Sequence, residues 1–290
     1  MTQYRIPEIA SKYFDYDLIR HYTELPDFPH FRTRLLYAFL LHERKATDQS
    51  ELYALVVALV QMAMDTHDLI DTDTNDKETA RMRSRQLKVL AGDYFSSRFY
   101  HLLAQAGQIE MIGQLSAAVC ETNRLKMNLY TEMQRPPLAA DKYLEYHVQL
   151  RTQLYEGFSQ LFEGSLSGQW LELLQCFSRC ETINDELSRT MTISRFQQSF
   201  GFWLVWPEGT EEERRRLQNN DQLDDLWLSG LVDKYQIRER LVEKLQGALA
   251  HLELTAGRLD SDKLAVEVRA IAQSFLHPLA SAAPAFNEMR

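Results

Sequence analysis

Apolar residues recur at helical spacing along nearly the whole chain, interrupted by short polar breaks. The pattern predicts helices over 8–23, 28–45, 48–70, 77–106, 108–133, 139–163, 165–180, 183–198, 211–218, 221–252 and 259–277. Leu25-Pro26-Asp27-Phe28-Pro29 ends the first helix, because proline lacks the backbone donor and its ring clashes with the preceding turn. Arg135-Pro136-Pro137 ends the fifth in the same way. Asp48 and Ser50 suit the N-cap of the third helix, and Trp206-Pro207-Glu208-Gly209 suits a turn. With no internal repeat and no low-complexity linker, the expectation is an all-α protein, a single domain over residues 1–290.

Composition narrows the function. Lys and Arg number 32 against 41 Asp and Glu, a net charge of −9 with no basic stretch to offset it. A nucleic-acid binder needs a cationic face that displaces counterions, so that class is excluded. The longest apolar run, Leu52 to Val60, falls far short of the roughly 20 residues that cross a bilayer, and the opening MTQYRIPEIA does not read as a leader. Three cysteines, Cys120, Cys176 and Cys180, cannot all pair with one another, and a reduced cytoplasmic setting is expected. GxGxxG, Walker A, HExxH and GxSxG patterns are absent. Cys176 and Cys180 sit one helical turn apart and read as small core residues, since no histidine or further cysteine lies near them in sequence. Glu211-Glu212-Glu213-Arg214-Arg215-Arg216 reads as a solvated face with i,i+3 pairs, and Asp224-Asp225 as the acidic start of a helix.

The 48–70 helix is different. From Leu52 to Met64 almost every residue is apolar, the mark of a helix buried on all sides. Yet Gln61, Asp65 and Asp68 fall at i, i+4 and i+7, with Asp71 and Asp73 just beyond. Burying unpaired carboxylates costs on the order of several kcal/mol each unless cations, donors or a metal meet them. The stripe faces a polar cavity, an arginine cluster or Mg²⁺, or else it marks a helix end emerging into solvent. Calcium is excluded: in the stretch beginning Asp71-Thr72-Asp73-Thr74-Asn75, Asp76 stands where an EF-hand loop needs glycine and Met82 where it needs glutamate.

HDxxD at the end of an apolar helix in an all-α chain resembles the trans-isoprenyl diphosphate synthases. Their fold holds a trinuclear Mg²⁺ cluster between two DDxxD motifs on facing helices. His67-Asp68-Leu69-Ile70-Asp71-Thr72 resembles the first motif with Leu69 in place of the second acid and Thr72 in place of the third. Arg32-Thr33-Arg34 resembles the basic signature that grips isopentenyl diphosphate, and Ala91-Gly92-Asp93-Tyr94 resembles the GDY of the next helix, where glycine allows close approach. Arg151-Thr152 stands near the family's phosphate-binding Lys-Thr pair. Phe200-Gly201-Phe202-Trp203-Leu204-Val205 is similar to the lead-in to the second DDxxD, but Trp206-Pro207-Glu208 follows it, with no aspartate pair. Within the family, Asp65 to Ile70, Arg85 to Tyr94 and Asn123 to Tyr130 resemble component 1 of bacterial heptaprenyl diphosphate synthase.

That resemblance implies the non-catalytic subunit of a heterodimer. Its catalytic partner, component 2, carries both intact motifs and most of the Mg²⁺, and the pair makes the C35 diphosphate of the menaquinone side chain. No catalytic residue is assigned to this chain. Its degenerate acidic motif is Asp65, His67, Asp68, Asp71 and Asp73, and isoprenoid diphosphates would meet Arg32, Arg34, Arg81, Arg83, Arg85 and Arg151. The alternative is that these arginines neutralise the acids in place of magnesium. Met62, Met64, Phe95 and Phe99 are of the type that floors a product tunnel, but a Met/Phe stripe at helical spacing far more often fills a core.

Overall fold

The computed structural model describes residues 4–16, 19, 23–43, 46–70, 79–134, 138–219 and 223–276. Among these residues there is no strand. The helices are α1 (Ile6–Phe14), α2 (His30–His42), α3 (Ser50–Asp68), α4 (Thr79–Gln105), α5 (Ile109–Met133), α6 (Ala140–Glu156), α7 (Ser165–Thr190), α8 (Phe200–Glu208), α9 (Glu211–Gln218), α10 (Asp225–Lys234), α11 (Ile237–Ala256) and α12 (Asp262–Ala272). A single further turn of helix spans Ile193–Phe196, and short 3₁₀ turns occupy Thr47–Gln49, Gly157–Leu161 and Gln273–Phe275. Among the described residues, no helix is long and apolar enough to cross a membrane.

By its contacts the chain forms two compact units, one of residues 1–120 with 154–170, the other of residues 121–153 with 171–290. In the first, α3 packs against α1, α2 and α4. Every residue of α3 from Tyr53 to Met64 is buried, as expected for a helix enclosed on all sides. Ile6, Ala10 and Tyr13 of α1 pack with Ala54, Leu55 and Leu59 of α3. One turn closer to the acidic end, Met62 and Ala63 pack with Ala91 and Phe95 of α4. Phe14 meets Phe95 edge-on at 5.0 Å, so Phe95 is fully enclosed, and Phe99 and Met64 are buried with it. Burying a Phe side chain contributes about 1.5–3 kcal/mol, and these residues are core. Phe39, Phe162 and Trp170 form a second aromatic group, all three centroid pairs within 5.5 Å.

In the second unit, α11 packs with α10 and α12. Cys176 and Cys180 are buried core residues of α7, and burial pushes their thiols up to about 11 and about 12. Asp224 is the N-cap of α10, accepting the Trp227 amide at 2.8 Å, as the acidic start of a helix requires.

Several boundaries differ from the sequence expectation. Asp48 and Ser50 do not cap α3: the 3₁₀ turn runs straight into the helix, whose N-cap is Gln49 with no side-chain cap bond. The helices predicted over 165–180 and 183–198 are one helix to Thr190, because polar Glu181 and Thr182 are buried within it and the Thr182 hydroxyl donates to Ser178 O at 2.7 Å. The predicted turn at 206–209 is the end of α8, where Pro207 falls in the final turn and Gly209 closes it by donating to Val205 O at 2.7 Å. The predicted 221–252 helix breaks at Gln236, whose φ of 51° is left-handed. The charge run is not simply solvated either. Glu213 accepts from Lys234 at 2.7 Å and Tyr235 at 2.8 Å. Burial alone would raise its carboxyl, but Lys234, the Thr210 amide and Tyr235 together pull it down to about 2.

Candidate functional site

The polar stripe of α3 grades from core to solvent. Gln61 is buried, Asp65 half-buried and Asp68 exposed, so the stripe meets a polar interior at one end and water at the other. Arg32 of α2 is 3 % exposed and donates through Nη1 to Gln61 Oε1 at 3.0 Å. Gln61 Nε2 in turn donates to Asp65 Oδ1 at 2.8 Å. The Arg32 guanidinium lies 5.2 Å above the Tyr155 ring, and the Tyr155 hydroxyl pairs with Thr33 Oγ1 at 3.1 Å. A guanidinium over an aromatic face gains from the ring quadrupole, most of all when desolvated. Arg32, Gln61 and Asp65 are thus brought together, with an amide between the two charges.

A second contact set fixes the end of α3. Gly92 of α4 lies against the His67 ring; a Cβ there would stand 2.5 Å from His67 Nε2, so only glycine fits without moving the ring. The GDY glycine does permit the expected close approach, and the group it admits is a side chain rather than backbone. Asp93 follows, with Oδ1 at 3.5 Å from His67 Nε2. One helical turn earlier, Lys88 Nζ donates to Leu69 O at 3.0 Å, a cation placed on the carbonyl end of α3 where the helix dipole favours it.

The remaining predicted residues are scattered. Arg34 is half-buried on α2; Arg81 and Arg83 are exposed and Arg85 half-buried on the first turns of α4. Asp71 and Asp73 lie outside the described residues.

Arg151 belongs to the second unit, where it pairs with Asp185 and lies 3.8 Å from Glu181, both on α7. Sequence reasoning did not single out these two, although their i,i+4 spacing on one helix was visible. Beside them Glu186 is buried and accepts the Phe200 amide at 2.6 Å, at the start of α8. Burial raises the Glu186 carboxyl above its ordinary range. The Tyr143 hydroxyl donates to Gln198 O at 2.7 Å, and its ring lies tilted at 58° against the His147 ring, centroids 4.5 Å apart. Burial, then Arg189 and Arg151, push His147 down to about 3, so it is neutral near pH 7. This is a closed polar core rather than an open pocket of reactive groups. Among the described residues, no three His, Cys, Asp or Glu side chains gather as metal ligands.

Solved structures with this fold include a geranylgeranyl pyrophosphate synthase from Lactobacillus brevis, with a TM-score of 0.71 at 12% identity, covering 94% of this chain and 96% of that one. A heptaprenyl diphosphate synthase from Staphylococcus aureus matches with a TM-score of 0.66 at 12% identity, covering 93% and 95%. At such identities these matches establish the all-α prenyl diphosphate synthase fold. A curated relative, heptaprenyl diphosphate synthase component 1 of Geobacillus stearothermophilus, is 39% identical over 85 residues, or 29% of this chain. That match spans 36% of the relative's length. The model of the family described as heptaprenyl diphosphate synthase subunit 1 matches residues 16–202, well over half of the chain. With the eroded acidic motif, the GDY glycine and the fold in agreement, the chain belongs to the heptaprenyl diphosphate synthase subunit 1 family.

Proposed function

We propose that this chain is the accessory subunit of a two-component heptaprenyl diphosphate synthase, residues 1–290 acting as one isoprenoid-synthase-like domain in a reduced cytoplasmic setting. Its partner is a component 2 chain that carries both DDxxD motifs and holds the Mg²⁺. The observation that carries this reading is the subunit 1 match over residues 16–202 in a chain with Leu69 where the second acid would stand.

The reaction breaks the allylic C–O bond of farnesyl diphosphate. The resulting cation alkylates the double bond of isopentenyl diphosphate, and a proton is lost to restore an alkene. Repetition gives the C35 diphosphate of the menaquinone side chain. Neutralising the departing diphosphate is work for several divalent ions, which act as Lewis acids and as a template. The Leu69 substitution assigns that work to the partner. Phe95 and Phe99 are enclosed in the core of this chain, and the chain's contribution is either to hold the catalytic chain in its active form or to lengthen that chain's product tunnel.

Reconstitution tests the reading. This chain, the DDxxD-bearing chain and their mixture are each given farnesyl diphosphate, labelled isopentenyl diphosphate and Mg²⁺. Long-chain product is expected from the mixture alone. Elongation by this chain without a partner would overturn the assignment.

A further inference from the structure

The acidic end of α3 stands where this fold leads one to look for magnesium; of its described carboxylates Asp68 is exposed, whereas Asp65 is already engaged within the protein. Mg²⁺ demands near-octahedral oxygen coordination and is commonly held by one or two carboxylates with water and phosphate completing the shell. Here Asp65 Oδ1 already accepts the Gln61 amide at 2.8 Å. His67 is packed against Gly92 and faces Asp93 at 3.5 Å. Leu69 and Ile70 offer no side-chain oxygen, and the Leu69 carbonyl accepts the Lys88 ammonium at 3.0 Å.

The cation that Asp65 answers is internal. Arg32 is charged at any ordinary pH, and a buried charge left uncompensated is strongly destabilising. Gln61 links that charge to Asp65: its carbonyl oxygen faces the guanidinium and its amino group faces the carboxylate. The opposite flip would set donor against donor and acceptor against acceptor, so the chemistry of the two ends fixes the amide. Tyr155, with no exposed surface, closes the other face of the guanidinium.

We propose that Asp65 is neutralised from within the protein by Arg32 acting through Gln61, with Lys88 on the Leu69 carbonyl of the same helix end, and that Asp65 is a structural group and not a metal ligand. The arginine whose family counterpart grips isopentenyl diphosphate is here a positioning residue that locks α2 to α3. The inference concerns this chain alone and stands whether or not it acts with a catalytic partner.

Two measurements on the full-length chain test it. Mn²⁺ titration followed by electron paramagnetic resonance, on the wild type and on Asp65→Asn, is expected to give the same spectra for both proteins. The change in thermal midpoint between excess Mg²⁺ and EDTA is expected to be the same for both proteins, whereas a site at Asp65 filled well beyond its dissociation constant would raise the wild type alone by ~2 °C or more. A bound-Mn²⁺ signal that Asp65→Asn abolishes would overturn the proposal. The relay is tested by Arg32→Met, Gln61→Leu and their combination. Each single change is expected to lower the midpoint, with the double variant no worse than the worse single. Independent, additive losses would overturn the relay. If these variants do not fold, the Mn²⁺ comparison of wild type with Asp65→Asn still decides. Reconstituted activity reports separately on the subunit assignment.

Discussion

At the scale of single residues, the second unit hides a group that sequence could not single out. His147 is one histidine in an amphipathic helix, and nothing in its spacing announces burial. In the fold its ring packs against Tyr143 and feels Arg189 and Arg151, and burial with those charges lowers its pKa to about 3 from an ordinary 6.5. The native state therefore keeps His147 neutral while the unfolded chain takes up a proton below its ordinary value. Its contribution to stability is full above that value and declines as pH falls towards about 3, at up to ~1.4 kcal/mol per pH unit. Glu186 works in the other sense, since its raised carboxyl favours the folded state below the ordinary carboxylate pKa and loses that advantage as pH rises. His147→Gln, which stays neutral, is expected to shallow the acid limb of a urea-midpoint against pH profile by about one proton. An unchanged slope would show that His147 does not carry it. By contrast Gly92 was legible, because the absence of a side chain in the middle of a long helix has few uses besides close approach. Gln61 was visible as part of a stripe, but its partner Arg32 lies 29 residues away, and no local pattern joins them.

At the scale of elements, periodicity found the long helices because a buried face leaves a regular trace. It failed where polar residues are buried or apolar ones continue through a corner. Glu181 and Thr182 suggested a gap inside α7, although the hydroxyl finds its acceptor on the same helix. The α10–α11 corner shows the reverse error. Apolar spacing runs on through Tyr235, but Gln236 turns left-handed there, with Tyr235 tied to Glu213 at 2.8 Å. A left-handed φ costs a non-glycine residue roughly 1–2 kcal/mol. Gln236→Gly removes that strain, at the expense of a more flexible unfolded chain. The expected net is a gain of a few tenths to about 1 kcal/mol, read from chemical denaturation at neutral pH. A loss would mean that the Gln236 side chain supports the corner.

For the molecule as a whole, the fold was legible from the order of its motifs, and the proposed catalytic partner would be met at the surface rather than in the core. On α4, Met82, Val89, Leu90 and Tyr100 are exposed, with Leu90 at 62 %. Large apolar side chains grouped on one helix mark an association surface more often than isolated ones do. Leu90→Glu leaves the interior untouched, so the chain is expected to fold with an unchanged midpoint. Its affinity for the catalytic chain is expected to drop by about tenfold or more, the effect of losing roughly 1.4 kcal/mol at an interface centre. Sedimentation velocity of the mixed chains measures this, and undiminished complex formation would move the interface elsewhere.

The lysine at the end of α3 also bears on how such a chain arises and whether it can return. An ancestor that needs ions at this helix end loses them once Leu69 replaces an acid, and that step alone is easily reversed. With the Lys88 ammonium 3.0 Å from the Leu69 carbonyl, it no longer is. An aspartate restored at position 69 would emerge beside a fixed positive charge and pair with it, while Asp65 stayed bound to its amide. Lys88 and the Arg32 relay would have to change in concert with position 69, and none of these changes alone would recover the lost chemistry. On the proposed function, the contact would behave as a ratchet that keeps this helix end from holding ions again.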